Sequence, residues 1–152
     1  MTINYEAVTQ LSQRLEKAAN FAPFVVEFWL HKMVGPAMVS EMRAEAPVRS
    51  GRLRDAIRQI NEPMKVRVGP IGVEYNQFVV EGTKAHEIKP KNASMLVFKI
   101  GGKTIYAKSV KHPGTAANPY MQISSAKVMN RLLPKLGQLQ IDVLKTGKRP
   151  HG

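Results

Sequence analysis

Cysteine is absent from the 152 residues, which removes disulfides and thiolate metal sites from consideration and fits a reducing compartment. No apolar run reaches 18 residues, so no membrane-crossing helix is predicted. The opening residues Met1-Thr2-Ile3-Asn4-Tyr5-Glu6 lack a basic segment followed by an apolar one, and the expectation is a chain with no signal of its own for export. Aromatic residues are few and not interleaved with basic ones, which argues against a stacking platform for single-stranded nucleic acid. Acidic residues are the most telling shortage. Eleven Asp/Glu stand against 23 Lys/Arg, and beyond Glu81 only Glu87 and Asp142 oppose thirteen basic residues. Residues 1–81, with ten basic and nine acidic, are nearly balanced. No acidic cluster for a divalent metal exists, so a metal-dependent nuclease is the least favoured class.

The basic C-terminal half is the first positive feature. It predicts either a polyanionic neighbour or a solvated basic face. The length suits one domain with a single core. Asn4 to about Ala19 has Val8, Leu11, Leu15 and Ala18 at helical spacing. A break is expected over Asn20–Pro23. Phe24 to about Ala46 forms a second helical region that is apolar almost all round in its first half, through Phe28, Trp29 and Leu30. Such a helix needs cover on more than one side, from other subunits or from the sheet and first helix. Gly35-Pro36 should kink or divide it. Met64–Val68 alternates as a half-buried strand, with Ile57–Ile60 a candidate strand before it and Gly72–Glu74 a short return strand. Ala93–Ile100 and Thr104–Val110 flank Gly101-Gly102-Lys103, a hairpin signal. Pro119 to about Lys145 carries Val128, Leu132, Leu136, Leu139 and Val143 on one stripe, with a bend expected at Pro134 and Gly137. The fold class is α+β: N-terminal helices, a central antiparallel sheet and a long C-terminal helix. One domain is expected over 1–146, followed by a flexible basic tail, 147–152, with no apolar residue to anchor it.

Three segments stand out. Ala46-Pro47-Val48-Arg49-Ser50-Gly51-Arg52-Leu53-Arg54-Asp55-Ala56-Ile57 follows the helical region. Tyr75-Asn76-Gln77-Phe78-Val79-Val80-Glu81-Gly82-Thr83 runs on to Ala85-His86-Glu87-Ile88-Lys89-Pro90. Lys111-His112-Pro113-Gly114-Thr115-Ala116-Ala117-Asn118-Pro119-Tyr120-Met121 has the residue types of a shaped strand-to-helix corner. In this order and spacing the three resemble the neck, or head–tail joining and tail-completion, family of long-tailed double-stranded DNA phages, whose members include minor tail components. The resemblance implies a virion structural protein without catalytic activity, made in the host bacterial cytoplasm and placed at the head–tail junction. It implies a ring of six copies, or twelve, around the DNA channel. Its neighbours would be a head-side connector or stopper and tail-tube or terminator proteins, with transient non-specific contact to phage DNA. By the same analogy Tyr75–Glu81 is a short helix broken by Gly82.

On that reading Phe28, Trp29, Arg52, His112, Thr115 and Tyr120 are the candidate subunit or partner contacts. Lys84, Lys89, Lys91, Lys103, Lys108 and Lys111 are the candidate channel lining. The alternative from a different class is a small basic module that binds nucleic acid without sequence preference.

Other chemistry fares poorly. Gly102-Lys103-Thr104 lacks the earlier glycine and the following helix of a phosphate loop. The histidines (His31, His86, His112, His151) have no metal-ligand spacing. His86 and His112 could meet in space with Glu81 or Glu87 as orienting carboxylate, either as an acid–base pair or as loop histidines holding backbone. Arg49, Arg52, Arg54, Arg58 and Arg67 are open to phosphate or to the nearby carboxylates. No cofactor and no metal site is expected.

Overall fold

The structure, a computed structural model, describes residues 5–150. A helix α1 (Tyr5–Phe28) runs into a π-helical stretch (Trp29–Val34) and then α2 (Gly35–Glu45). The short helix α3 (Arg52–Ala56) leads into a hairpin of β1 (Ile57–Glu62) and β2 (Lys65–Pro70). Next come α4 (Asn76–Glu81), β3 (His86–Ile88), β4 (Leu96–Ile100), β5 (Lys103–Ala107), β6 (Val110–His112) and the long α5 (Tyr120–Thr146). The class is α+β as the sequence indicates. The strands form three separate antiparallel pairs, β1–β2, β3–β6 and β4–β5, where one sheet was expected. The Gly72–Glu74 strand is absent: Val73 is buried in a turn.

The chain divides into two compact units. The first is Met1–Val73 with Tyr120–Gly152; the second is Glu74–Pro119.

The core of the first unit lies between the N-terminal helices and α5. Trp29, Val34, Val128 and Leu132 form it, with Met33, Met38 and Val66 packed at its edge. The Trp29 indole N–H donates to the Leu132 carbonyl at 3.1 Å. The break expected at Asn20–Pro23 does not occur. Pro23 lies inside α1, a position that costs a ladder bond; Val25, 1% exposed two residues on, fastens the helix there. At Gly35-Pro36 the chain stays helical, with the π-helical stretch dividing α1 from α2 just before the pair. The proline's missing N–H is absorbed by π-type winding, in which the Gly35 N–H reaches back to the Leu30 carbonyl. That shift leaves the His31 carbonyl without a donor from Pro36. Gln59 of β1 supplies one, its Nε2 donating at 2.9 Å. A side chain at Gly35 would run into the Gln59 amide, so the glycine leaves that amide its place at the His31 carbonyl.

Around this seam the β1–β2 turn is stapled to α1. His31 Nε2 lies 3.1 Å and 3.0 Å from the carbonyls of Glu62 and Lys65. The Met64 N–H, at a residue with φ of 54°, donates to the Glu27 carboxylate at 3.1 Å. Lys127 of α5 bridges Glu41, at 3.4 Å, and Glu45 of α2. Hydrogen bonds to Glu45 first and Glu41 second hold the Lys127 ammonium above the usual lysine range.

The apolar stripe expected on the first helix is not covered: Leu11 and Leu15 are exposed, and the Val8 side chain lies outside what is described. The bend expected in α5 at Pro134 and Gly137 does not end the helix, which is continuous through both. Of the expected tail, 151–152 lie outside the described residues, and 147–149 make contacts of their own. Gly147, at φ of 63°, turns the chain out of α5 with its N–H on the Val143 carbonyl. Arg149 then places its guanidinium 4.0 Å from the centre of the Phe24 ring and 5.2 Å from that of Phe21. A cation over an aromatic face needs no apolar side chain to dock.

Candidate functional site

Two of the three motif segments come together in the second unit, through their glycines and threonines. Thr83 and Thr115 exchange two backbone hydrogen bonds, 2.9 Å and 3.0 Å, as an isolated antiparallel bridge. The residue before each is a glycine with positive φ, 74° at Gly82 and 91° at Gly114. Each glycine lies against the other strand's backbone. A Cβ on Gly82 would sit 2.5 Å from the Thr115 carbonyl oxygen and 2.8 Å from the Ala117 nitrogen. One on Gly114 would meet the Thr83 oxygen and Lys84 carbon. Any side chain at either position would push the segments apart, so Gly82-Thr83 and Gly114-Thr115 form one reciprocal crossing. The Asn118 N–H donates to the Val79 carbonyl at 3.0 Å, fastening the end of the corner to α4.

Beside the crossing, β3 and β6 pair with His86 opposite His112 and Glu87 opposite Lys111. The two imidazoles lie 5.1 Å apart, centre to centre. His86 Nδ1 lies 2.9 Å from the Lys84 carbonyl, a contact its N–H satisfies as donor. His112 Nδ1 accepts from the Gly114 N–H at 3.1 Å, so His112 holds the bend that brings Gly114 onto Thr83. The anticipated meeting of the two histidines therefore occurs, and each is tied to backbone. Neither Glu81 nor Glu87 serves as the orienting carboxylate. Glu87 lies 3.1 Å from the Lys89 ammonium, and a hydrogen bond from Ser109, with Lys89 second, holds its carboxyl below the usual range. No group of three or more metal-ligating side chains exists among the described residues.

β4 and β5 make a hairpin closed by Gly101 and Gly102, at φ of 55° and 82°, the twist that two-residue hairpin turns require. Lys103 is thus the first residue of β5, paired with Ile100, and is followed by strand and not by the helix a phosphate loop needs. The hairpin's side chains are unusually bare: Val97 is 60% exposed, Ile100 61% and Tyr106 65%. No residue from Glu74 to Pro119 is buried.

The expected contact residues divide. Trp29 and Tyr120 are buried inside the chain, at 5% and 0% exposure, and cannot present their rings to another subunit. Trp29 is core because its indole N–H finds a carbonyl on α5; Tyr120 is core because α5 begins there and turns its first residue inward. Phe28 is half-buried, Arg52 exposed, His112 half-buried and Thr115 exposed. All six expected channel lysines are exposed and belong to the second unit, and Lys89 is drawn to Glu87. Of the arginines, Arg54 pairs with Asp55 and Arg67 with Glu62, while Arg58 donates to the carbonyls of Asp55 and Ile57. The β3–β6 pairing and the Thr83–Thr115 bridge were missed by the sequence reading. The repeated Gly-Thr dipeptide was the one signal that could have found them. No helix among the described residues is long and apolar enough to cross a membrane. Comparison with family models, curated proteins and solved structures gives no match.

Proposed function

We propose that this protein is a structural component of a tailed-phage virion that closes into a ring at the head–tail junction, around the path of the DNA. The reading starts from the three ordered segments and their resemblance to the neck and tail-completion family. One observation supports it above the rest. The unit carrying two of those segments has no buried residue, yet holds an apolar hairpin in the open. A two-stranded hairpin is marginal alone in water, and exposed apolar side chains in a group are characteristic of contact surfaces. Val97, Ile100 and Tyr106 are then covered by a neighbouring subunit or by the connector and tail proteins on either side. Lys84, Lys91, Lys103, Lys108 and Lys111 face the passing phosphates without reading sequence.

A ring of six copies suits this role, and twelve is the other count that a head-side neighbour would impose. The exposed lysines also favour a second reading, a small module that binds free nucleic acid as a monomer. Nuclease-treated protein, sized by native mass spectrometry across concentrations and then with duplex DNA added, separates the two. Closed oligomers without DNA support the ring. A chain that stays monomeric and binds duplex tightly overturns it.

A further inference from the structure

The apolar arc of α5 is wider than the face its own chain covers. At 3.6 residues per turn, Val128, Leu132 and Val143 share the covered side and are buried. Around the helix from them lie Ile123, Ala126, Leu133, Gly137, Ile141 and Leu144, at intervals of three, four and, across the polar Asn130, seven residues. That spacing is the seam of packed helices. The seam is bare: Leu133 is 55% exposed and Ile141 44%. Gly137 is its most telling member. A Cβ built there meets nothing within 4 Å, so no contact inside the chain calls for glycine. Glycine in a helix interior carries a conformational cost, and a second helix pressed against the seam is what would use the missing side chain.

The same chain holds a matching bare helix. None of the described side chains from Glu6 to Phe24 of α1 is buried, and Leu11 and Leu15 stand on one side of it at 58% and 52% exposure. A helical stretch of this length is marginal in water without cover. We infer that the N-terminal half of α1 in one copy packs on the uncovered seam of α5 in the next copy, with Leu11 and Leu15 over Gly137. Charge chooses this occupant over α5 itself. α5 bears Lys127, Arg131, Lys135 and Lys145 against Asp142 alone, so two copies of α5 face to face would set like charges together. The N-terminal half of α1 is balanced, Glu6 and Glu16 against Arg14 and Lys17, and meets α5 without that repulsion. Geometry excludes the intramolecular version, because its own N-terminal helical region already meets α5 on the covered side, where Trp29 of the π-helical stretch packs with Val128 and Leu132. The contact is head-to-tail, the kind that propagates into a ring. It rests on the ring reading above and names the surfaces that close it.

The absence of cysteine makes the test direct. Leu15→Cys and Leu133→Cys are made singly and together, both at exposed positions. After mild oxidation the double variant is expected to give a ladder of cross-linked multimers. The two single variants mixed should give a cross-linked pair, and neither alone should cross-link. Gly137→Leu should leave the circular dichroism and melting temperature near wild type while weakening self-association about tenfold or more, since it fills the space the helices need. Self-linking of Leu133→Cys alone would show α5 against α5 and overturn the proposal. Rings that form normally with no ladder and no effect of Gly137→Leu would overturn this contact and leave the ring reading standing. A wild-type chain that never assembles would overturn both.

Discussion

Glycine placement governs the crossing at Thr83 and Thr115, and two substitutions address it. Gly82→Ala and Gly114→Ala each add a Cβ where φ is positive and where opposing backbone, which cannot rotate away, already stands. Each is expected to destabilise the second unit by about 2 kcal/mol or more, measured by hydrogen exchange at the Thr83 and Thr115 amides. Gly137→Ala is the contrast: its Cβ meets nothing, and it should stabilise the monomer slightly. Unchanged exchange at the Thr83 and Thr115 amides in both alanine variants would show that these glycines do not set the crossing. His112 belongs to the same scale. Its acceptor role toward Gly114 explains a histidine at this corner without any turnover.

At the scale of elements, the π-helical stretch, Pro36, Gly35 and Gln59 act as one device. The proline leaves the His31 carbonyl short of a donor, Gln59 provides it, and Gly35 makes room. Gln59→Ala should cost about 1–2 kcal/mol for the unpaired carbonyl. Gly35→Ala displaces Gln59 and loses the same bond. The double variant should therefore cost less than the two single effects added, by thermal or urea unfolding. Full additivity would show that the two residues are not coupled.

The bridge from α5 to α2 has a pH signature. The Lys127 pKa is raised in the folded chain by Glu45 and Glu41. Its contribution is complete below the unfolded lysine value and is lost as pH rises through the folded one. The melting-temperature gap between wild type and Lys127→Gln should thus be constant near neutrality and close in the alkaline range above about pH 10. A gap that widens there would reverse the assignment.

The long C-terminal helix and the β4–β5 hairpin were legible at this scale because apolar periodicity and Gly-Gly turn chemistry are local. α5 ends within a residue or two of its expected bounds, and β4–β5 turns at Gly101-Gly102. What was not legible depends on partners far along the chain. Pro23 reads as a breaker until Val25 is seen to be buried. Pro36 signals a disturbed helix, but not that Gln59, more than twenty residues on, supplies the missing donor. Trp29 reads as a contact residue because composition does not distinguish an apolar face covered by α5 from one covered by another subunit, and Tyr120 because the corner motif does not show that α5 turns its first residue inward.

For the whole molecule the charge distribution is the quantity to test. If the lysines of the second unit line a channel, duplex binding is weak, indifferent to sequence and steeply salt-dependent. The logarithm of affinity falls linearly with the logarithm of salt as counterions are released. A ring presents each lysine in every copy, so assembly should steepen the slope. Lys84→Gln, Lys89→Gln and Lys91→Gln together should flatten it and leave sequence preference unchanged. Lys89 already lies on Glu87 and should contribute least of the three when changed singly. Salt-insensitive or sequence-selective binding would remove the channel and favour the nucleic-acid module.

The threonine bridge also fixes where the chain can grow. Its two ends enclose the 31 residues from Lys84 to Gly114 as a closed loop, and lengthening such a loop is cheap: doubling it costs only about 0.6 kcal/mol in closure entropy. The Gly101-Gly102 tip lies far along the chain from both bridge residues. It is therefore a graft point, where a short epitope or a protease site can be inserted with the corner's hydrogen bonds intact. Cleavage there in the free protein, and protection of the same site after assembly, would report directly on how deeply neighbouring subunits cover the hairpin.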